Sequence, residues 1–83
     1  MNQTITELKA EVIKSLALLR TLRDEARVKV HLAEREAKQR WDELEPELEN
    51  VIEKAARDVS NASHVAVDKA VKAARSFLES VAR

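Results

Sequence analysis

The chain contains no glycine, no cysteine and no tyrosine, and only one proline, one tryptophan and one phenylalanine. Without glycine there is no loop to cradle phosphate and no residue free to enter left-handed backbone at a tight turn, which argues against turn-rich β folds. The absence of cysteine excludes disulfides, thiolate nucleophiles and thiolate metal sites, and leaves the redox compartment open. Charge of one sign is missing too: 15 basic residues balance 15 acidic ones, so no global field draws nucleic acid or an anionic membrane. The longest unbroken apolar run, Leu16 to Leu19, is far short of the roughly 20 residues a membrane span needs. No basic segment followed by an apolar stretch marks a signal peptide, and a cytoplasmic location is the expectation.

What is present favours helices. Charged residues make up 36% of the 83, and alanine supplies 13 of the apolar positions, so the apolar surface is shallow and evenly spread. A chain this short forms at most one domain with a thin core, and self-association is expected.

Apolar residues return every three or four positions through Leu22, Ala26, Val30, Ala33, Ala37, Trp41, Leu44 and Leu48, the spacing of one helix face. The stripe extends upstream through Ile5, Leu8, Val12, Leu16 and Leu19, widened by Ile13, Ala17 and Leu18. Downstream it continues through Ile52, Ala55, Val59, Ser63, Ala66, Ala70, Ala74, Phe77 and Val81 with an 11-residue period, which winds slightly right-handed. Thr4 with Glu7 three positions later has capping-box spacing at the start. At 38–49 the charge flips from Lys38 and Arg40 to Asp42, Glu43, Glu45, Glu47 and Glu49, as where a helix end meets a helix beginning, and Pro46 suits a first turn.

These observations predict an all-α fold: a single domain over 1–83, built as a long antiparallel, coiled-coil-like helical hairpin that self-associates into a four-helix bundle. One helix covers about 4–43, a turn or kink lies at about 42–46, and the second helix covers about 46–82. A reversal at Ser60–Ser63 and one continuous kinked helix are the alternatives. Folding at the centre sets Val12 against Phe77 and Trp41 against Leu48. It also brings a basic half, with nine Lys/Arg and six Asp/Glu in 1–41, against an acidic half with the reverse. The expected interface residues are Leu16, Leu19, Leu22, Val30, Trp41, Leu48, Ile52 and Phe77. Outside the seam remain Ile13, Leu18, Val28, Leu32, Val51, Val65, Val71 and Leu78, whose burial drives association into a homo-oligomer, with a dimer favoured.

Chemistry-bearing patterns are few. His31 and His64 are the only imidazoles, and neither has a glutamate three residues before it as a di-metal bundle requires. His64 with Asp68 could clip a metal, but a seam-edge histidine accounts for it better. No catalytic residue, no metal and no cofactor is expected, and the chain reads as a non-enzyme. The series Arg20, Arg23, Arg27, Lys29, Arg35, Lys38 and Arg40 is broken by Glu25, Glu34 and Glu36 and lacks stacking aromatics, which speaks against nucleic acid. Trp41 and Phe77 read as seam residues, with an exposed partner anchor as the alternative for Trp41.

The run Leu22-Arg23-Asp24-Glu25-Ala26-Arg27-Val28-Lys29-Val30-His31-Leu32-Ala33, continuing through Ala37-Lys38 and Trp41 to Leu44-Glu45-Pro46, resembles a group of short, uncharacterised bacterial coiled-coil proteins. The resemblance covers about a third of the chain. It implies a bacterial helical-hairpin module, carries over no active site, and singles out Arg27, His31, Trp41 and Pro46 as candidates for more than generic packing.

The expected function is a non-enzymatic helical oligomerisation module that offers a mixed-charge surface to a protein partner. The alternative is an amphipathic protein that coats lipid or a polymer granule, as apolipoproteins and phasins do. The seam makes a direct prediction. Leu19→Asp lowers helicity in circular dichroism and dissociates the oligomer; an unchanged oligomer contradicts the seam.

Overall fold

The computed structural model describes the backbone of residues 2–59 and 64–81, and the side chains of 9–59 and 64–81. Three helices make up the described fold: α1 (Asn2–His31), α2 (Arg35–Arg57) and α3 (His64–Val81). Strands are absent among the described residues. The α1 helix, about 45 Å long at 1.5 Å per residue, sets the long axis of a body measuring 49 × 20 × 16 Å.

The path is up, down, up. Arg23 reaches Glu49 and Arg27 reaches Glu45, so α2 runs antiparallel to α1. Trp41 lies near Phe77, and Leu48 and Ala70 line opposite walls of one groove, so α3 runs antiparallel to α2. His64 at the start of α3 lies beside Glu11, which makes α3 parallel to α1. The first part of α1 therefore runs past the start of α3. Contact is most extensive between α1 and α3 and least between α2 and α3.

The core is apolar throughout, with no buried polar or charged residue among those described. From α1 it takes Val12, Leu16, Leu19, Leu22 and Ala26; from α2, Ala37, Trp41, Leu48, Ile52 and Ala55; from α3, Val67, Ala70, Val71, Ala74, Phe77 and Leu78. Seven-residue steps recur in this set (12, 19, 26; 41, 48, 55; 67, 74), as expected where helices pack nearly side by side. Small and large residues share the core: Ala26, Ala55, Ala70 and Ala74 are buried along it, and Trp41 and Phe77 pair with ring centroids 5.3 Å apart at 38°. Such a pair adds about 0.5–1.5 kcal/mol beyond the area it buries.

The first reversal falls at residues 32–34, ten to twelve positions before the expected one. The α1 helix tightens at its end: the amides of Leu32 and Ala33 donate to the carbonyls of Lys29 and Val30, at 3.1 and 3.0 Å. Glu34 then takes extended backbone (φ −69°, ψ 164°), and its carbonyl accepts from the Lys38 amide to open α2. No positive φ is used among the described residues, so the turn does without glycine. Lys29 and His31 sit at the negative end of one helix, and Glu34 and Glu36 at the positive start of the next.

Residues 42–46, expected to turn, lie inside α2, and Pro46 is an exposed residue of the helix interior. Its ring leaves the Asp42 carbonyl without its usual partner, and because Asp42 is also exposed, water can take that bond. The expected long hairpin is thus replaced by three shorter helices. The chain changes direction again between Arg57 and His64; the alternative turn at Ser60–Ser63 lies outside the described residues. In α3 the 11-residue stripe keeps its phase at Ala70, Ala74 and Phe77, with Val81 partly buried, and slips only at its first position, where Val67 is buried and Ala66 is exposed.

Two outcomes follow for stability. Leu19, fully buried, costs about 2–5 kcal/mol when cut to alanine. Pro46→Ala restores a helix hydrogen bond and raises the urea midpoint, with a gain of about 1–3 kcal/mol after allowing for the more flexible unfolded chain. A lowered midpoint for Pro46→Ala contradicts a regular helix at that position.

Candidate interaction surface

The residues expected at an interface between chains are used within one chain. Leu16, Leu19, Leu22, Trp41, Leu48, Ile52 and Phe77 are buried in the core, and Val30 is partly buried against it. They carry the fold and present no face to a partner while it holds. Trp41, at 4% exposure, is no surface anchor. It meets Phe77 rather than Leu48, because the early reversal slides α2 along α1 and lets α3 close over it.

The residues left outside the seam divide into two sets. Val71 and Leu78, on α3, are buried in the core it shares with α1 and α2, and Leu18 and Val51 are partly buried. Four remain exposed: Ile13 at 50%, Val28 at 69%, Leu32 at 91% and Val65 at 75%. Ala17, which was expected to widen the seam, is exposed as well. Three of these exposed apolar residues, Ile13, Val28 and Leu32, belong to or directly follow α1. Elsewhere an apolar groove runs between α2 and α3, walled by Leu44, Leu48 and Val51 on one side and Ala66, Ala70 and Ala73 on the other, with Glu47 and Lys69 at its rim.

Charges knit α1 to α2. Arg27 donates from Nε to Glu45 at 2.5 Å and from Nη2 to Glu49 at 3.0 Å, and Arg23 donates to the same Glu49 oxygen at 3.1 Å. The basic and acidic halves of the sequence do meet here. The Glu45 hydrogen bond, with the charges of Glu49 and Asp24 in support, outweighs partial burial and holds the Arg27 guanidinium above its ordinary pKa. A raised basic pKa adds stability below its ordinary value and loses it only above the folded one, so Arg27 gives no stability slope near neutral pH.

Other candidate residues scatter. His31 ends α1 and is exposed. His64 Nε2 lies 3.6 Å from Glu11, while Asp68 pairs with Lys72 at 3.3 Å, so the suggested His64/Asp68 clip is not assembled. No group of three or more histidine or acidic side chains is placed to hold a metal among the described residues. The basic series is divided between α1 and α2, with Arg23 and Arg27 tied to carboxylates and Arg40 set over the Phe77 ring at 5.9 Å. None of the described helices is long and apolar enough to cross a membrane.

No protein-family model matches the chain, and neither a curated protein nor a solved structure does so.

The ion-pair cluster is half exposed, where each pair is worth about 0.2–1 kcal/mol and is screened by salt. Glu45→Gln with Glu49→Gln therefore lowers stability by about 1 kcal/mol at low salt and by less at high salt in urea titrations. An equal loss at both salt levels contradicts an electrostatic role.

Proposed function

We propose that the protein is a non-enzymatic helical assembly module that works by self-association and presents a mixed-charge surface to a protein partner. The observation that carries this reading is the set of large apolar side chains left uncovered by a chain that already has a complete core: Ile13, Val28, Leu32 and Val65. Small helical domains bury little surface per residue, and covering such side chains gives about 1.5–3 kcal/mol for each one fully buried. Because each chain contributes three helices, a dimer joins two three-helix units rather than forming a four-helix bundle. The resemblance to short bacterial coiled-coil proteins supports the same reading.

Sedimentation equilibrium of the pure protein at several concentrations and two salt levels tests it. A dimer at both salt levels is expected, since apolar burial dominates. A monomer at every concentration overturns self-association, and a monomer that gains helicity on vesicles assigns the chain to lipid surfaces instead.

A further inference from the structure

The first helix differs from the other two in being apolar on two opposite sides. Its inner side supplies Val12, Leu16, Leu19, Leu22 and Ala26 to the core. Its outer side carries Ala10, Ala17, Thr21, Val28 and, at the turn, Leu32, all of them exposed. These five follow steps of 7, 4, 7 and 4, an 11-residue repeat that keeps a stripe almost straight along a helix. Thr21 is less polar than its name suggests. Its hydroxyl donates to the Ala17 carbonyl at 3.1 Å, so its hydrogen-bonding demand is met within the helix. Ile13 flanks the stripe at 50% exposure.

Charges of both signs border this side: Lys14 and Arg20 towards its N-terminal half, Asp24 and Glu25 towards its C-terminal half, and Glu11 and Lys29 along one edge in the opposite order, all exposed. Such an arrangement complements its own reverse. When two copies of α1 lie antiparallel with Thr21 at the two-fold axis, Ala10 of one faces Leu32 of the other and small residues meet large ones. Lys14 then falls within one turn of Glu25 across the axis, Glu11 near Lys29, and Arg20 near Asp24, which also pairs with Arg23 of its own helix at 3.1 Å. A parallel pair would set like charge against like. Acids bordering the stripe and the lack of an aromatic on it disfavour an anionic lipid surface, whose binding helices carry basic residues beside the apolar face.

Resting on the assembly reading above, we infer that the outer side of α1 is a two-fold interface to a second copy of this chain, with the two first helices antiparallel. Small side chains at the centre, Ala17 and Thr21, allow axes to approach to about 8–10 Å. The contact is isologous and closes on itself, so assembly stops at the dimer. Charge sets the orientation, and apolar burial supplies the affinity.

The native chain has no cysteine, so crosslinking starts without background. Ala10→Cys and Leu32→Cys are made as separate full-length variants, and each is oxidised alone and mixed with the other. The expected result is a covalent dimer from the mixture and little from either variant alone. Covalent dimers from each variant alone would show a parallel pair and overturn the proposal. In parallel, Lys14→Glu and Glu25→Lys each weaken the dimer at least tenfold by sedimentation equilibrium, and mixing the two restores it as a heterodimer. Both positions are exposed, and unchanged helicity confirms that each variant is folded. If the dimer survives these changes but is lost in Ala66→Arg, the contact lies in the groove between α2 and α3. That result overturns this interface and leaves self-association standing, whereas a monomeric native chain overturns both.

Discussion

Leu19, on the inner side of α1, is completely buried in a core to which all three helices contribute. Around it, α1 gives one side to α2 through Arg23 and Arg27 and another to α3 through Glu11. A helix that must serve two neighbours needs a broad apolar face, and α1 has one. The rest of the architecture follows from that sharing. Two shorter, sharply amphipathic helices fold back along one long helix, and their Trp41 and Phe77 pair in the core.

The same arrangement shapes the surface. Once α2 and α3 have covered the inner side of α1, the chain has no element left for the outer side. Val28 and Leu32 stay in water although they belong to or follow the best-packed helix. Around them lie the exposed charges Lys14, Arg20 and Glu25, with Asp24 paired to Arg23. The fold accounts for the buried half of α1, and the two-fold interface proposed above is what would cover the other.

Much of the core was legible in the sequence, because a period of three to four residues reports a buried face whichever way the chain later turns. Leu16, Leu19, Leu22, Trp41, Leu48, Ile52 and Phe77 are all buried as that period implied, though by their own chain rather than by a partner. The reversal was not legible in the same way. Its signals, Lys29 and His31 followed by Glu34 and Glu36, are real but duplicate the charge flip at 38–49, where Pro46 made the later position look stronger. A turn built from tightened hydrogen bonds and one extended glutamate leaves no glycine or asparagine to mark it. Pro46 misled because an exposed helix position can give its orphaned carbonyl to water. The candidate surface was half visible: Ile13, Val28 and Leu32 stood outside the seam in sequence, but only the bundle separates them from Val71 and Leu78, which α3 carries into the core.

The position of the first reversal decides the whole arrangement, and one distance reports it. Spin labels at Arg20 and Glu53, both exposed, give that distance by pulsed electron resonance. With the turn at residues 32–34 the two positions lie nearly level on neighbouring helices, close to the interaxial separation of about 8–10 Å plus the label arms. A hairpin at 42–46 would set them about 25 Å apart along the axis, and a continuous helix about 50 Å. A single short distance, unchanged on dilution with unlabelled protein, is the result this account predicts; a distance centred at either longer value contradicts it.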